Sequence, residues 1–82
     1  MEKIGRMQLG KQGLTENFIE TLKQQFDRCR NVRVSVLKSA GHDKAKVKEY
    51  SEKILEGLGN NYTAKVVGFT IFFKKWRKPV RN

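Results

Sequence analysis

Two periods of apolar residues alternate along this chain, and each switch marks a new element. Over residues 1–9 the period is two: Met7 and Leu9 alternate with Arg6 and Gln8. That predicts a strand, with a bulge expected at Gly5. From Glu16 to about Arg28 the period is helical, with Phe18, Ile19, Leu22, Phe26 and Cys29 on one stripe. Thr15 stands where an N-cap belongs, and Leu14 can staple to Ile19. Asn31 breaks the helix, and residues 32–37 alternate again with valine on one face, a second strand. Residues 38–42 form a loop. Asp43 then caps a second helix running to about Leu58, with Val47, Tyr50, Ile54 and Leu58 inward, Leu55 beside them and Gly59 at its end.

Residues 62–67 and 70–76 are two more strands, joined by Gly68-Phe69. Glycine first in a two-residue loop suits a type II′ hairpin. The register then pairs Val67 with Thr70, Val66 with Ile71 and Ala64 with Phe73. Tyr62, Ala64, Val66, Ile71 and Phe73 face the core, while Lys65, Phe72, Lys74 and Trp76 face away, together with Arg33, Ser35 and Leu37 of the second strand. The order is β-α-β-α-β-β: an α/β, two-layer domain over residues 1–75, followed by a basic tail over 76–82. Right-handed crossovers make the first three strands parallel, and the hairpin makes the fourth antiparallel. The loops at residues 10–13, 38–42 and 68–69 therefore share one edge of the sheet, where open α/β sheets commonly bind ligands.

Charge decides what kind of ligand that edge would take. Lys and Arg number 18 against 8 acidic residues, a formal net charge of +10, which favours a polyanionic partner, either nucleic acid or an acidic membrane surface. With one cysteine, Cys29, and one histidine, His42, the chain can form neither an internal disulfide nor a Cys/His metal cluster. No metal and no cofactor is expected. His42 has no second histidine or carboxylate pair around it to make a catalytic base, so no enzyme activity is expected either. No apolar run approaches the ~20 residues that span a bilayer, and the N-terminus lacks a signal-peptide pattern. The expected location is cytoplasmic, or the stroma of an organelle if the source is a eukaryote.

The turn Leu9-Gly10-Lys11-Gln12-Gly13-Leu14-Thr15 is the strongest candidate contact. Glycines let backbone approach a ligand closely, the following helix offers unpaired N–H groups and the positive end of its dipole, and Lys11 adds a mobile charge. The two helices treat the dipole differently. In the first, Glu16 and Glu20 lie near the positive end and Arg28 and Arg30 near the negative end. In the second, Lys44, Lys46 and Lys48 crowd the positive end, at a cost of up to about 0.3–1 kcal/mol each. Lysines that oppose a dipole are explained if they face an anion. Lys38 and His42 lie in the loop between.

The run Leu9-Gly10-Lys11-Gln12-Gly13-Leu14-Thr15-Glu16, followed by an amphipathic helix, resembles the signature L-G-x-N-G-L-T-E of the CRM domain family. That family takes its name from chloroplast RNA splicing and ribosome maturation, and its stand-alone bacterial members are the YhbY proteins. Val66-Val67-Gly68-Phe69-Thr70-Ile71 also resembles the family's closing hairpin. Gln12 stands where the family has asparagine, and Phe69 where it has lysine. The resemblance implies a fold similar to the C-terminal domain of initiation factor three, with a mixed sheet in the order 1-2-4-3 and both helices on one face. It implies non-catalytic RNA binding through a GxxG loop comparable to that of KH domains, with ribosomal or precursor RNA as ligand and a ribosomal subunit as candidate partner. The expected RNA-binding residues are Gly10, Lys11, Gln12, Gly13, Thr15, Lys38, His42, Lys44 and Lys46 at the edge, and Arg33, Lys74 and Trp76 on the sheet. Two other functions compete: an assembly protein that docks a protein partner on the exposed sheet face through Phe72 and Trp76, and an architectural DNA-binding protein.

Overall fold

Val32, Val34 and Val36 point to one side of a central strand and are almost completely buried, so this strand carries the middle of the core. The computed structural model describes residues 4–41 and 43–78. Its elements are β1 (Ile4–Leu9), α1 (Glu16–Gln25), β2 (Asn31–Val36), a 3-10 turn (Lys38–Ala40), α2 (Lys44–Leu58), β3 (Tyr62–Val67) and β4 (Thr70–Lys75). The four strands form one sheet in the order β1-β2-β4-β3. β1 runs parallel to β2, and β4 runs antiparallel to both β2 and β3. The hairpin has the expected register, Val67 with Thr70, Val66 with Ile71 and Ala64 with Phe73. Gly68 carries the positive φ of 62°, while Phe69 does not, in keeping with a type II′ turn.

Burial alternates along every inner strand, so the sheet has a dry face and a wet one. The dry face meets both helices in one cluster that includes Leu9, Leu22, Val34, Val47, Ile54, Ile71 and Phe73. α1 contributes Leu22, with Phe26 just past its end. α2 contributes Val47, Tyr50 and Ile54. Ile19 of α1 packs on α2 at Gly57, where an added Cβ would lie 3.0 Å from Ile19 Cδ1. Asp43 caps α2 as expected, its carboxylate accepting from Ala45 N–H at 3.0 Å.

Three details differ from the sequence-based expectation. The first helix ends at Gln25 rather than near Arg28. Beyond it Asp27 N–H and Arg28 N–H each donate to the carbonyl three residues back, a tighter winding that turns the chain toward β2. Cys29 is buried as expected, but in this turn rather than on the helix. Gly5 makes no bulge: β1 pairs with β2 residue for residue from Ile4 to Leu9. Glycine is there for space, since a Cβ would come within 3.0 Å of Gln25 Oε1 and 3.1 Å of Val32 Cγ2. Finally, Val66 lies on the helix side of the sheet but stays 39% exposed, because β3 is an edge strand that the helices only partly cover.

That gap predicts unequal costs at two paired positions. Ile71, fully buried, should lose about 2–5 kcal/mol on mutation to alanine. Its cross-strand partner Val66 should lose about 1 kcal/mol or less. Urea denaturation of the two variants measures both.

Candidate nucleic-acid interface

β1 leaves the sheet at Leu9 and turns at once. Gly13 N–H donates to Gly10 O at 2.9 Å, closing a four-residue turn with Lys11 and Gln12 at its corner, both exposed. Neither corner residue has a positive φ, which excludes a type II corner and suits type I with glycine fourth. Gly13 itself has φ 69°, a conformation that opposes any L side chain. The chain then enters α1 with Thr15 extended and its hydroxyl accepting from Phe18 N–H at 3.1 Å. The cap takes one of the four N–H groups that a helix start leaves unpaired. A cleft of about 390 Å³ runs beside the turn, between β1 and α1, lined by Met7, Gly10, Lys11, Asn17, Phe18 and Thr21 among others.

The other loops of this edge come to meet the turn. Leu37 N–H donates to Leu9 O at 2.9 Å, so β2 ends where β1 ends. A Cβ at Gly10 would rest 3.6 Å from Leu37 Cδ1 and 3.7 Å from Ser39 Oγ, ordinary contact distances. Tyr50 of α2 donates its buried hydroxyl to Ala40 O at 2.8 Å and would lie 3.9 Å from a Cβ added at Gly13. One phenol thus ties α2 to the loop after β2 and backs the glycine turn. On the far side of β2, Val36 N–H donates to Phe69 O at 2.8 Å, which brings in the hairpin.

Lys11, Lys38 and Lys44 are exposed on this edge. Lys46 is exposed as well, with Nζ 6.0 Å from the Tyr50 ring centroid and its stem beside Gly41. Its charge already has a neighbour: the carboxyl of Glu49 is held below the usual carboxylate range, first by the hydrogen bond and charge of Lys53 at 3.0 Å, then by Lys46. Asp43 at the cap also supplies negative charge to the start of α2. Lys44, exposed in the first turn of α2, is the lysine that most directly opposes the helix dipole. His42 lies outside the described residues.

The three residues expected on the sheet lie there, away from the edge. Arg33 is in mid-sheet on the wet face, opposite Phe72 of β4. Lys74 pairs with Asn31 at the start of β2, at the opposite end of the sheet from the glycine turn. Trp76 lies just beyond, its backbone N–H donating to Asn61 O at 2.7 Å. Arg6 of β1 pairs with Arg33, a juxtaposition set by the parallel register of β1 and β2. Among the described residues, no group of His, Cys, Asp and Glu is arranged to hold a metal ion.

A glycine turn at a helix start, loops of three connections gathered around it and a mixed 1-2-4-3 sheet beneath define the class of protein. The family model for the CRS1 / YhbY (CRM) domain matches residues 4–74, and the chain belongs to that family. The family is known for RNA binding and its domains are non-enzymatic. No curated protein and no solved structure matches the chain.

The two glycines of the turn should respond differently to alanine. Gly13→Ala forces a positive φ on a side chain and should cost about 1–2 kcal/mol. Gly10→Ala meets only ordinary contacts and should change stability by about 0.5 kcal/mol or less. Thermal unfolding of both variants checks the difference.

Proposed function

We propose that this protein is a non-catalytic RNA-binding module that grips structured RNA, ribosomal or ribosome-precursor, with the turn at residues 10–13. The observation that carries the reading is the meeting of the turn, the Lys38–Ala40 segment and the Tyr50-anchored helix at one sheet edge. Such an edge offers a phosphate three things together: backbone free of side chains at Gly10, the positive end of α1, and lysines from the two connections that meet there. Lys11 reaches from the corner, while Lys38 and Lys44 approach from the neighbouring loop and helix. Gln12, where the family pattern has asparagine, keeps an amide that both donates and accepts. Family membership supplies the choice of RNA over other polyanions. A cytoplasmic or stromal location goes with this reading, because that is where ribosome precursors are assembled.

Lys11 and Gln12 are exposed and lie outside the core, so replacing both with glutamate should leave the fold and its far-ultraviolet circular dichroism unchanged. RNA affinity should fall, and the slope of log K against log salt should become shallower by about 1 for each phosphate that is no longer neutralised. Filter binding to a ribosomal stem-loop across a salt series measures both. An unaltered affinity would remove the turn from the interface. Competition with duplex DNA at moderate salt separates this reading from an architectural DNA-binding role.

A further inference from the structure

The wet face of the sheet has a composition that the edge loops do not explain. Arg6, Arg33, Phe72 and Lys65 are register partners in succession across β1, β2, β4 and β3, and strand alternation puts them all on the face away from the helices. They form one transverse row, about 14 Å long at the usual spacing of strands. Phe72 is 41% exposed within that row, with a cation on either side. In the next row lies Lys74, whose Nζ sits 4.2 Å from the centroid of the Trp76 ring. Trp76 is 39% exposed, and its indole N–H donates to Thr63 Oγ1 at 2.9 Å, which fixes the ring on this face. Among the described residues, no strand contains an acidic side chain. Every acidic residue among those described lies in α1 or α2, at the Asp43 cap, or in the turn after α1 at Asp27.

We infer that this face is a second RNA contact: a platform for an unpaired, single-stranded segment, with Phe72 stacking a base and Arg6, Arg33 and Lys65 holding phosphates. The inference rests on the RNA reading above and extends the bound RNA from the edge onto the sheet. Aromatic rings interleaved with cations suit single strands, because every base has a face to stack and every linkage a charge to pair. A protein partner would want the centre of its interface depleted in lysine, and here Lys65 is the register partner of Phe72 and Lys74 follows Phe72 two residues along the same strand. The other exposed apolar residues of this face, Ile4, Leu37 and Val67, lie at three different strand ends, outside the row that holds Phe72.

Trp76 is the chain's only tryptophan, so its fluorescence reports on the platform directly. The full chain is titrated with a 12-nucleotide oligoadenylate and, separately, with a ribosomal stem-loop. The variants are Phe72→Ala, Phe72→Tyr and the loop double variant Lys11→Glu/Gln12→Glu. Oligoadenylate should quench Trp76 on binding. Phe72→Ala should weaken it about fivefold or more, and Phe72→Tyr should restore it. The loop variant should lose stem-loop affinity while changing oligoadenylate affinity by less than Phe72→Ala does. Circular dichroism and the melting midpoint establish that each variant is folded. Equal oligoadenylate affinity of Phe72→Ala and the unaltered protein overturns the inference, and so does the absence of oligoadenylate binding. If stem-loop binding alone survives, the edge reading stands and the platform falls. If Phe72→Ala matters and the loop variant does not, the platform stands and the edge reading falls. Loss of self-association in sedimentation velocity on Phe72→Ala, with RNA affinity unchanged, would make the face a protein interface and overturn the inference.

Discussion

Two helices against four strands is the constraint from which the rest follows. Both helices pack on one side of the sheet, and the valines of β2, with Ile71 and Phe73 of β4, fill the space beneath them. β1, β2 and β4 therefore alternate in burial, one face toward the helices and one toward water. The helices also fall short of the outer strand, which is why Val66 and the end of β3 remain open. The exposed basic face is thus the other side of the same packing solution. A layer that leaves one face of the sheet uncovered must furnish that face mostly with side chains water accepts, and in this chain those are arginine, lysine, asparagine, glutamine, serine and threonine, with Phe72, Trp76, Ile4 and Val67 among them.

The edge of the sheet is organised by different forces. Backbone hydrogen bonds bring the ends of β1, β2 and the hairpin to one level. The Tyr50 hydroxyl then locks α2 onto the carbonyl of Ala40. A buried phenol without that acceptor would carry a desolvation penalty of about 1–3 kcal/mol, so the bond holds the loop as well as the helix. The glycine turn is held against this assembly without a side chain of its own, which leaves its outer surface free for the ligand proposed above.

Much of this was legible in the sequence because local chemistry specified it. Thr15 and Asp43 announce helix starts, and Gly68 in a two-residue loop sets the hairpin register to the residue. The convergence of residues 10–13 and 38–41 follows from element order alone. What was not legible depends on distance. Gly5 looks like a weak point in a strand until Val32 and Gln25 are seen to fill the space of its missing side chain. The early end of α1 at Gln25 leaves no mark in the apolar stripe, because Phe26 and Cys29 are buried on either winding. Strand order came from the family resemblance, since an alternating pattern says which face a residue takes and not which neighbour it pairs with. For the same reason Arg33, Lys74 and Trp76 could be assigned to a face but not to a distance from the glycine turn, and Arg6 could not be joined to Arg33.

The separation of acidic residues into the helical layer has a kinetic side. Cations on the open sheet face, with mixed charge on the described helical layer behind it, weight positive charge toward that face. In the field of a polyanion such a body is rotated before it collides, and fewer encounters are spent on unproductive orientations. The benefit decays with the Debye length, about 8 Å at physiological ionic strength, so orientation operates over a last stretch of approach shorter than the molecule's smallest extent of 23 Å. Capture rate and bound-state lifetime are then governed by different parts of one small domain: the first by the distribution of charge between its layers, the second by the contacts made once the surfaces meet.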